Sequence, residues 1–210
     1  GSGASVVTKE EGMLKRDVGS DLLRPKFSIL NPELTETLPA YQTACGATDI
    51  MAHVFERYFT NTNEVEITDR LCEAVLLTMI KETPRVIEDP NNYEARAEIM
   101  WAGSLSHNGL TGCGASGVDF ATHGLEHELG GLYDVAHGAG LAALWGSWAR
   151  YVYRECLNYM LEKTEQYYKN YPKKSRNSEI KMKEFGKKTT PNFFGVGLGC
   201  GTRIRTQTYR

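Results

Sequence analysis

The apolar positions of this chain fall into helical spacing from residue 39 onward. Ala47, Ile50, Met51, Val54, Phe55 and Tyr58 recur at three- and four-residue intervals, which predicts a helix over residues 41–60. Pro39 suits the first turn of that helix, where its missing N–H costs nothing. A polar stretch at 61–66 reads as a loop. Leu71, Val75, Leu76, Met79 and Ile80 then predict a second helix over residues 67–87, with Pro84 placed to sharpen or end it. After the stop signal Asp89-Pro90-Asn91-Asn92, a third helix is predicted over residues 93–110, followed by a turn at Gly112, Gly114 and Gly117. A fourth, shorter helix is expected over residues 118–129, ended by Gly130-Gly131, and a fifth from His137 to about residue 159. Ahead of these, residues 5–8 and 26–30 fit short strands.

This pattern divides the chain into a junction segment (residues 1–38), an all-α helical bundle (39–160) and a tail (161–210) in which Pro172 interrupts helical character. The charge follows the same division. Residues 1–150 carry a net −10 and residues 151–210 a net +8, within an overall −2. The basic residues of the tail are scattered among Glu, Tyr and Asn without a recognition motif, so no nucleic-acid partner is expected. The apolar runs are short and interrupted, so no membrane span is expected either. Five widely spaced cysteines (Cys45, Cys72, Cys113, Cys156 and Cys200) match neither a disulfide framework nor a C-x-x-C metal site. They predict buried thiols in a reducing compartment, hence a cytoplasmic location.

The candidate chemistry lies in the histidines. Asp49 and His53 are four residues apart on the first helix, so their side chains share one face. His123 and His127 repeat that spacing on the fourth helix, and His137 opens the fifth after a Gly130-Gly131 reversal. Three imidazoles and a carboxylate converging in a bundle suit Fe(II), Zn(II) or another divalent first-row ion, and the residues do not choose among them. His107, in Ser106-His107-Asn108, reads as an ordinary satisfied polar residue. The segment His123-Gly124-Leu125-Glu126-His127 is not H-E-x-x-H, which argues against a zincin protease. A metal-dependent hydrolase is disfavoured because neither a second metal cluster nor a nucleophile is evident. A metal-binding helical module without catalysis stays open.

Several of these stretches resemble the iron-containing alcohol dehydrogenase family, in its butanol-dehydrogenase-like branch. They are Gly46-Ala47-Thr48-Asp49 with His53, Trp101-Ala102-Gly103-Ser104 with His107-Asn108-Gly109, and His123-Gly124-Leu125-Glu126-His127-Glu128-Leu129-Gly130. His137-Gly138-Ala139-Gly140-Leu141-Ala142 and Leu22-Leu23-Arg24-Pro25-Lys26-Phe27 complete the set. The resemblance covers about residues 1–155. It implies the helical metal domain of the dehydroquinate synthase-like fold, with Asp49, His53, His123 and His137 as metal ligands. His127 matches the histidine beside substrate and nicotinamide, which orients the substrate or helps pass a proton to solvent. The implied reaction interconverts primary alcohols and aldehydes with NAD or NADP over Fe(II) or Zn(II). Members are often dimers, so the resemblance admits a homodimer. No strand followed by a glycine-rich dinucleotide loop and helix is visible in these 210 residues. The nucleotide-binding α/β domain is therefore expected to be missing, and this polypeptide is expected to show little or no dehydrogenase activity. Beyond residue 171 the tail departs from the family pattern.

Overall fold

The structure, a computed structural model, describes residues 2–60, 62, 64–118 and 120–152. The strands β1 (Ala4–Lys9) and β2 (Leu14–Gly19) form an antiparallel hairpin, in register from Ala4 opposite Gly19 to Lys9 opposite Leu14. Short 3-10 turns follow at Asp21–Leu23 and Pro32–Thr35. The helices are α1 (Ala40–Tyr58), α2 (Glu66–Glu88), α3 (Tyr93–His107) and α4 (Ala121–Tyr133). A fifth, α5, is described over residues 137–152. Among the described residues the fold is a helical bundle, as the hydrophobic period predicts, with a two-stranded hairpin that the all-α reading did not include.

α1 is the central element and packs on both α2 and α3. Its apolar stripe continues through Val54 and Phe55, which are fully enclosed together with Met79 and Val86 of α2 and Leu141 of α5. Trp145 of α5 stacks at 4.6 Å from Phe55, closing that side of the core. α3 starts on a side-chain cap: the Asn92 carboxamide oxygen accepts from the Ala95 N–H at 3.0 Å. α4 has no such cap from its own preceding residue, Phe120, which sits in left-handed conformation at φ 50°. Its cap comes from another helix, as described below.

Several local readings change in the structure. Residues 26–30 form no strand, and Phe27 and Ile29 are exposed. Among the described residues no neighbouring strand pairs with them, and an unpaired strand has no ladder to hold it. The second hairpin strand, β2, has no apolar alternation to announce it, because all but one of its residues are exposed. α2 runs through Pro84 to Glu88. The proline is exposed and lies near the helix end, where little of the hydrogen-bond ladder is lost. α4 runs through Gly130-Gly131 to Tyr133. The glycines serve packing rather than termination: a Cβ on Gly131 would stand 2.8 Å from the Met13 carbonyl oxygen, so glycine lets the hairpin lie against the helix. Cys45 and Cys72 are buried as expected, but Cys113 is exposed. Cys156, Cys200 and the readings for 161–210 lie outside the described residues.

The tightest approach in the bundle is between α5 and α1. A Cβ on Gly138 would stand 1.9 Å from the Cys45 carbonyl oxygen, so no side chain fits there without moving a backbone. Because His137 is the adjacent residue, this contact also fixes the histidine. Replacing Gly138 by Ala is expected to destabilise the chain by roughly 1–3 kcal/mol or more, as overpacking does. Gly124→Ala is the control: Gly124 is exposed with nothing within 4 Å of its Cβ direction, so that change should be neutral or mildly stabilising. Urea denaturation of the two variants tests the contrast; equal stabilities would sink it.

Candidate metal centre

Asp49 and His53 lie one turn apart on α1, half-buried, on the side of the helix that faces α4. α4 brings His123 and α5 brings His137. The three imidazoles converge on one oxygen: Asp49 Oδ1 lies 3.5 Å from His53 Nε2, 3.3 Å from His123 Nε2 and 3.5 Å from His137 Nε2. Donors held about 2.1 Å from a tetrahedral ion stand about 3.4 Å apart, which the three nitrogen–oxygen separations match. The donor atoms of Asp49, His53 and His123 all lie within 4.8 Å of one another, whereas His137 reaches this group through Asp49 and is gathered with Glu126 and His127. The donor set is three nitrogens and one oxygen, with no thiolate.

Two of the imidazoles are oriented from behind by carboxylates. His123 Nδ1 is in very short contact with Glu56 Oε2, and His137 Nδ1 with Glu126 Oε2. A carboxylate that accepts at Nδ1 leaves the Nε2 lone pair facing the centre, which is how metal-binding histidines are commonly held. Glu56, one further turn along α1, has a second task. Its Oε1 accepts from the Thr122 N–H at 2.8 Å, the His123 N–H at 3.3 Å and the Thr122 hydroxyl. It therefore caps α4 across the bundle and places negative charge at the helix's positive end. Glu126 is fully buried, and Lys15 of β2 reaches it at 2.9 Å. His53 lacks such a partner: its Nδ1 is buried without a hydrogen bond, and the ring is held by packing against His107 (4.0 Å), His123 (4.3 Å) and Phe120 (5.5 Å).

The electrostatics follow the geometry. Burial opposes charge on Asp49, but contacts with His107 and His123 and the fields of His53 and His137 hold its carboxyl far below the usual range. Burial and the neighbouring His107 push His53 well down, against the opposing pull of Asp49, so it stays neutral. Burial also works against charge on His123, yet Asp49 and Glu56 together hold its pKa up to about 9.

His127 is placed apart from this group. It lies on α4 one turn beyond His123, with its ring 5.5 Å from that of His137 and its Nδ1 3.7 Å from Asp17 Oδ1 of β2. Burial, with His137 and Lys15 nearby, lowers its pKa. The sequence reading missed two features. His107 is a satisfied polar residue as expected, with its Nδ1 2.8 Å from Gly103 O, yet its Nε2 also stands 3.6 Å from Asp49 Oδ2. It also lines a cavity of about 400 Å³ with Ser2, Gly3, Ser20, Arg24 and Arg57. The His107-Asn108-Gly109 stretch carried that signal. The other feature is a second cluster of donors, Glu126, His127 and His137, where the sequence suggested none. Its Glu126 is masked by position, since a glutamate beside a helical histidine is ordinarily solvated.

Comparison with known proteins bears on what such a centre serves. Residues 43–188 match the sequence profile of the Fe-containing alcohol dehydrogenase family, C-terminal. That match extends well past residue 155, where the resemblance read from the sequence ended. The chain is 45% identical over 147 residues to the probable NADH-dependent butanol dehydrogenase 2 of Bacillus subtilis (strain 168), covering 70% of this chain and 37% of that protein. It is 48% identical over 130 residues to NADH-dependent butanol dehydrogenase B of Clostridium acetobutylicum, covering 62% of this chain and 33% of that protein. The chain thus spans well under half the length of these relatives. The crystal structure of NADH-dependent butanol dehydrogenase A from Thermotoga maritima superposes with a TM-score of 0.76 at 33% identity, over 94% of this chain and 46% of that one. With the helical bundle, the profile match and these relatives in agreement, the chain belongs to the Fe-containing alcohol dehydrogenase family.

Proposed function

We propose that Asp49, His53, His123 and His137 hold one divalent first-row ion, Fe(II) or Zn(II), and that this chain is the metal-holding part of a primary alcohol/aldehyde dehydrogenase using NADH or NADPH. The observation that carries the reading is the placement of three imidazole Nε2 atoms within 3.3–3.5 Å of a single Asp49 oxygen. The relatives named above supply the reaction class.

Bound between these donors, the ion would polarise the oxygen of an alcohol or aldehyde and stabilise the negative charge that develops on it. The protein's own residues have separate tasks. Asp49 contributes a hard anion that reduces the net charge of the centre. Glu56 and Glu126 fix the ring planes of His123 and His137 so that each Nε2 faces inward. Phe120 covers the edges of His53 and His123 and excludes water from that side. His127, outside the donor group but beside His137, is the residue we assign to orienting the substrate and exchanging a proton with solvent.

The nicotinamide is a different matter. Among the described residues no strand leads through a glycine-rich turn into a helix, so these residues do not form a dinucleotide cradle and no hydride step is derived from them. Positioning errors of an ångström already cost rate heavily. The 210-residue chain alone is therefore expected to give little or no turnover with NADPH and butyraldehyde. Normal steady-state turnover by this polypeptide would defeat that expectation.

Metal binding itself is testable without activity. The chain, dialysed against Fe(II) anaerobically or against Zn(II), is expected to retain one ion per chain by elemental analysis, and to melt at higher temperature when loaded. Asp49→Ala and His123→Ala should each lose at least about 100-fold in affinity by chelator competition, because the first shell is then incomplete. His127→Ala should keep a full equivalent of ion. An Asp49→Ala chain that binds as tightly as the parent would remove the centre from this reading.

A further inference from the structure

We propose that Lys15, on the N-terminal hairpin, is a positioning residue for the metal centre, acting through Glu126 on His137. The inference rests on the reading above that His137 is a ligand. Lys15 lies outside the 43–188 segment that matches the family profile.

Side chains of a strand alternate between faces, so Lys15 and Asp17 share the face of β2 turned toward α4. Lys15 is 13% exposed at its side chain and Glu126 is 0% exposed. The ammonium lies 2.9 Å from Glu126 Oε2 and 3.3 Å from His137 Nδ1, while that same Oε2 is in very short contact with His137 Nδ1. Lysine, carboxylate and imidazole thus meet around one oxygen. A lysine ammonium is a donor only, and an ionised carboxylate accepts only. With Lys15 beside it, Glu126 stays an acceptor, so the hydrogen in its contact with the imidazole belongs to Nδ1 and the Nε2 lone pair faces Asp49. The surroundings are shaped for this arrangement. A Cβ on Gly140 would stand 2.7 Å from Glu126, and one on Gly130 would stand 2.8 Å from Lys15 Nζ, so both glycines leave room for the pair.

The position also explains why Glu126, His127 and His137 gather as potential donors without a further ion being needed: the ammonium supplies the positive charge there. Arg16 makes its own ion pair with α4, to Glu128 at 3.6 Å, with both side chains more than 60% exposed. Exposed pairs of that kind contribute little.

The test uses Co(II), whose visible absorption reports the ligand geometry, bound to the full 210-residue chain. Lys15→Met is expected to weaken Co(II) binding about 10- to 100-fold, the usual range for residues that orient a ligand, and to alter the Co(II) bands. Lys15→Arg should restore most of the affinity. Glu126→Gln should reproduce the loss, and the double variant should lose no more than either single one, because both act along one path. Arg16→Ala, which removes only the exposed pair, should leave affinity and spectrum unchanged. If Lys15→Met does not fold by circular dichroism, Lys15→Gln is read by the same criteria. Parent-like affinity and spectrum in the lysine variants would overturn the proposal, as would fully additive losses in the double variant. A parent chain that binds no Co(II) would instead overturn the metal reading on which the proposal rests.

Discussion

The buried carboxylate of Glu56 is the interaction on which the rest of the centre depends. It projects from α1 into the start of α4, accepts two backbone N–H groups there, and accepts at His123 with its other oxygen. Left without it, α4 would begin at a residue with no capping side chain, behind a left-handed Phe120, with its first amides buried and unsatisfied. A single group therefore decides both where the fourth helix starts and which way its histidine points. The fold and the site are coupled at that atom pair rather than built one upon the other.

The second constraint is electrostatic. Four histidines lie close to the half-buried Asp49, and their contacts and fields together favour its charged form against the cost of burial. Each ring is disciplined differently. His123 and His137 are held at Nδ1 by carboxylates and His107 by the Gly103 carbonyl, whereas His53, with no partner at Nδ1, is held by ring packing and by Asp49 at its Nε2. The site thus combines rings held by hydrogen bonds with one, His53, wedged among rings from α3, α4 and the residue that precedes α4.

The helices were legible because their apolar faces are periodic and their interiors long. The pairs Asp49/His53 and His123/His127 were legible as pairs because a turn's spacing places side chains together whatever surrounds them, whereas His137, on the next helix, was tied to them by the Gly130-Gly131 stretch and the family resemblance. What escaped reading lacked such a local signature. β2 alternates nothing apolar, since its inward residues are Lys15 and Asp17, which meet charged partners more than a hundred residues away. Gly130-Gly131 looks like a helix stop because glycine usually serves that purpose, and only the approach of Met13 shows it serving another. Glu56 and Glu126 look like solvent-facing glutamates until the partners that bury them are known. In each case the missing information was tertiary: the identity of the neighbour, not the propensity of the residue.

α1 carries Asp49, His53 and Glu56 at successive turns, so two of the proposed donors and the carboxylate that orients a third ride on one rigid rod. A helix advances about 100° of azimuth per residue. Adding or deleting a single position between 49 and 56 would swing part of this set around the rod and scatter it, while leaving composition and apolar content almost untouched. The number of residues in this stretch thus constrains the geometry as firmly as their identity does.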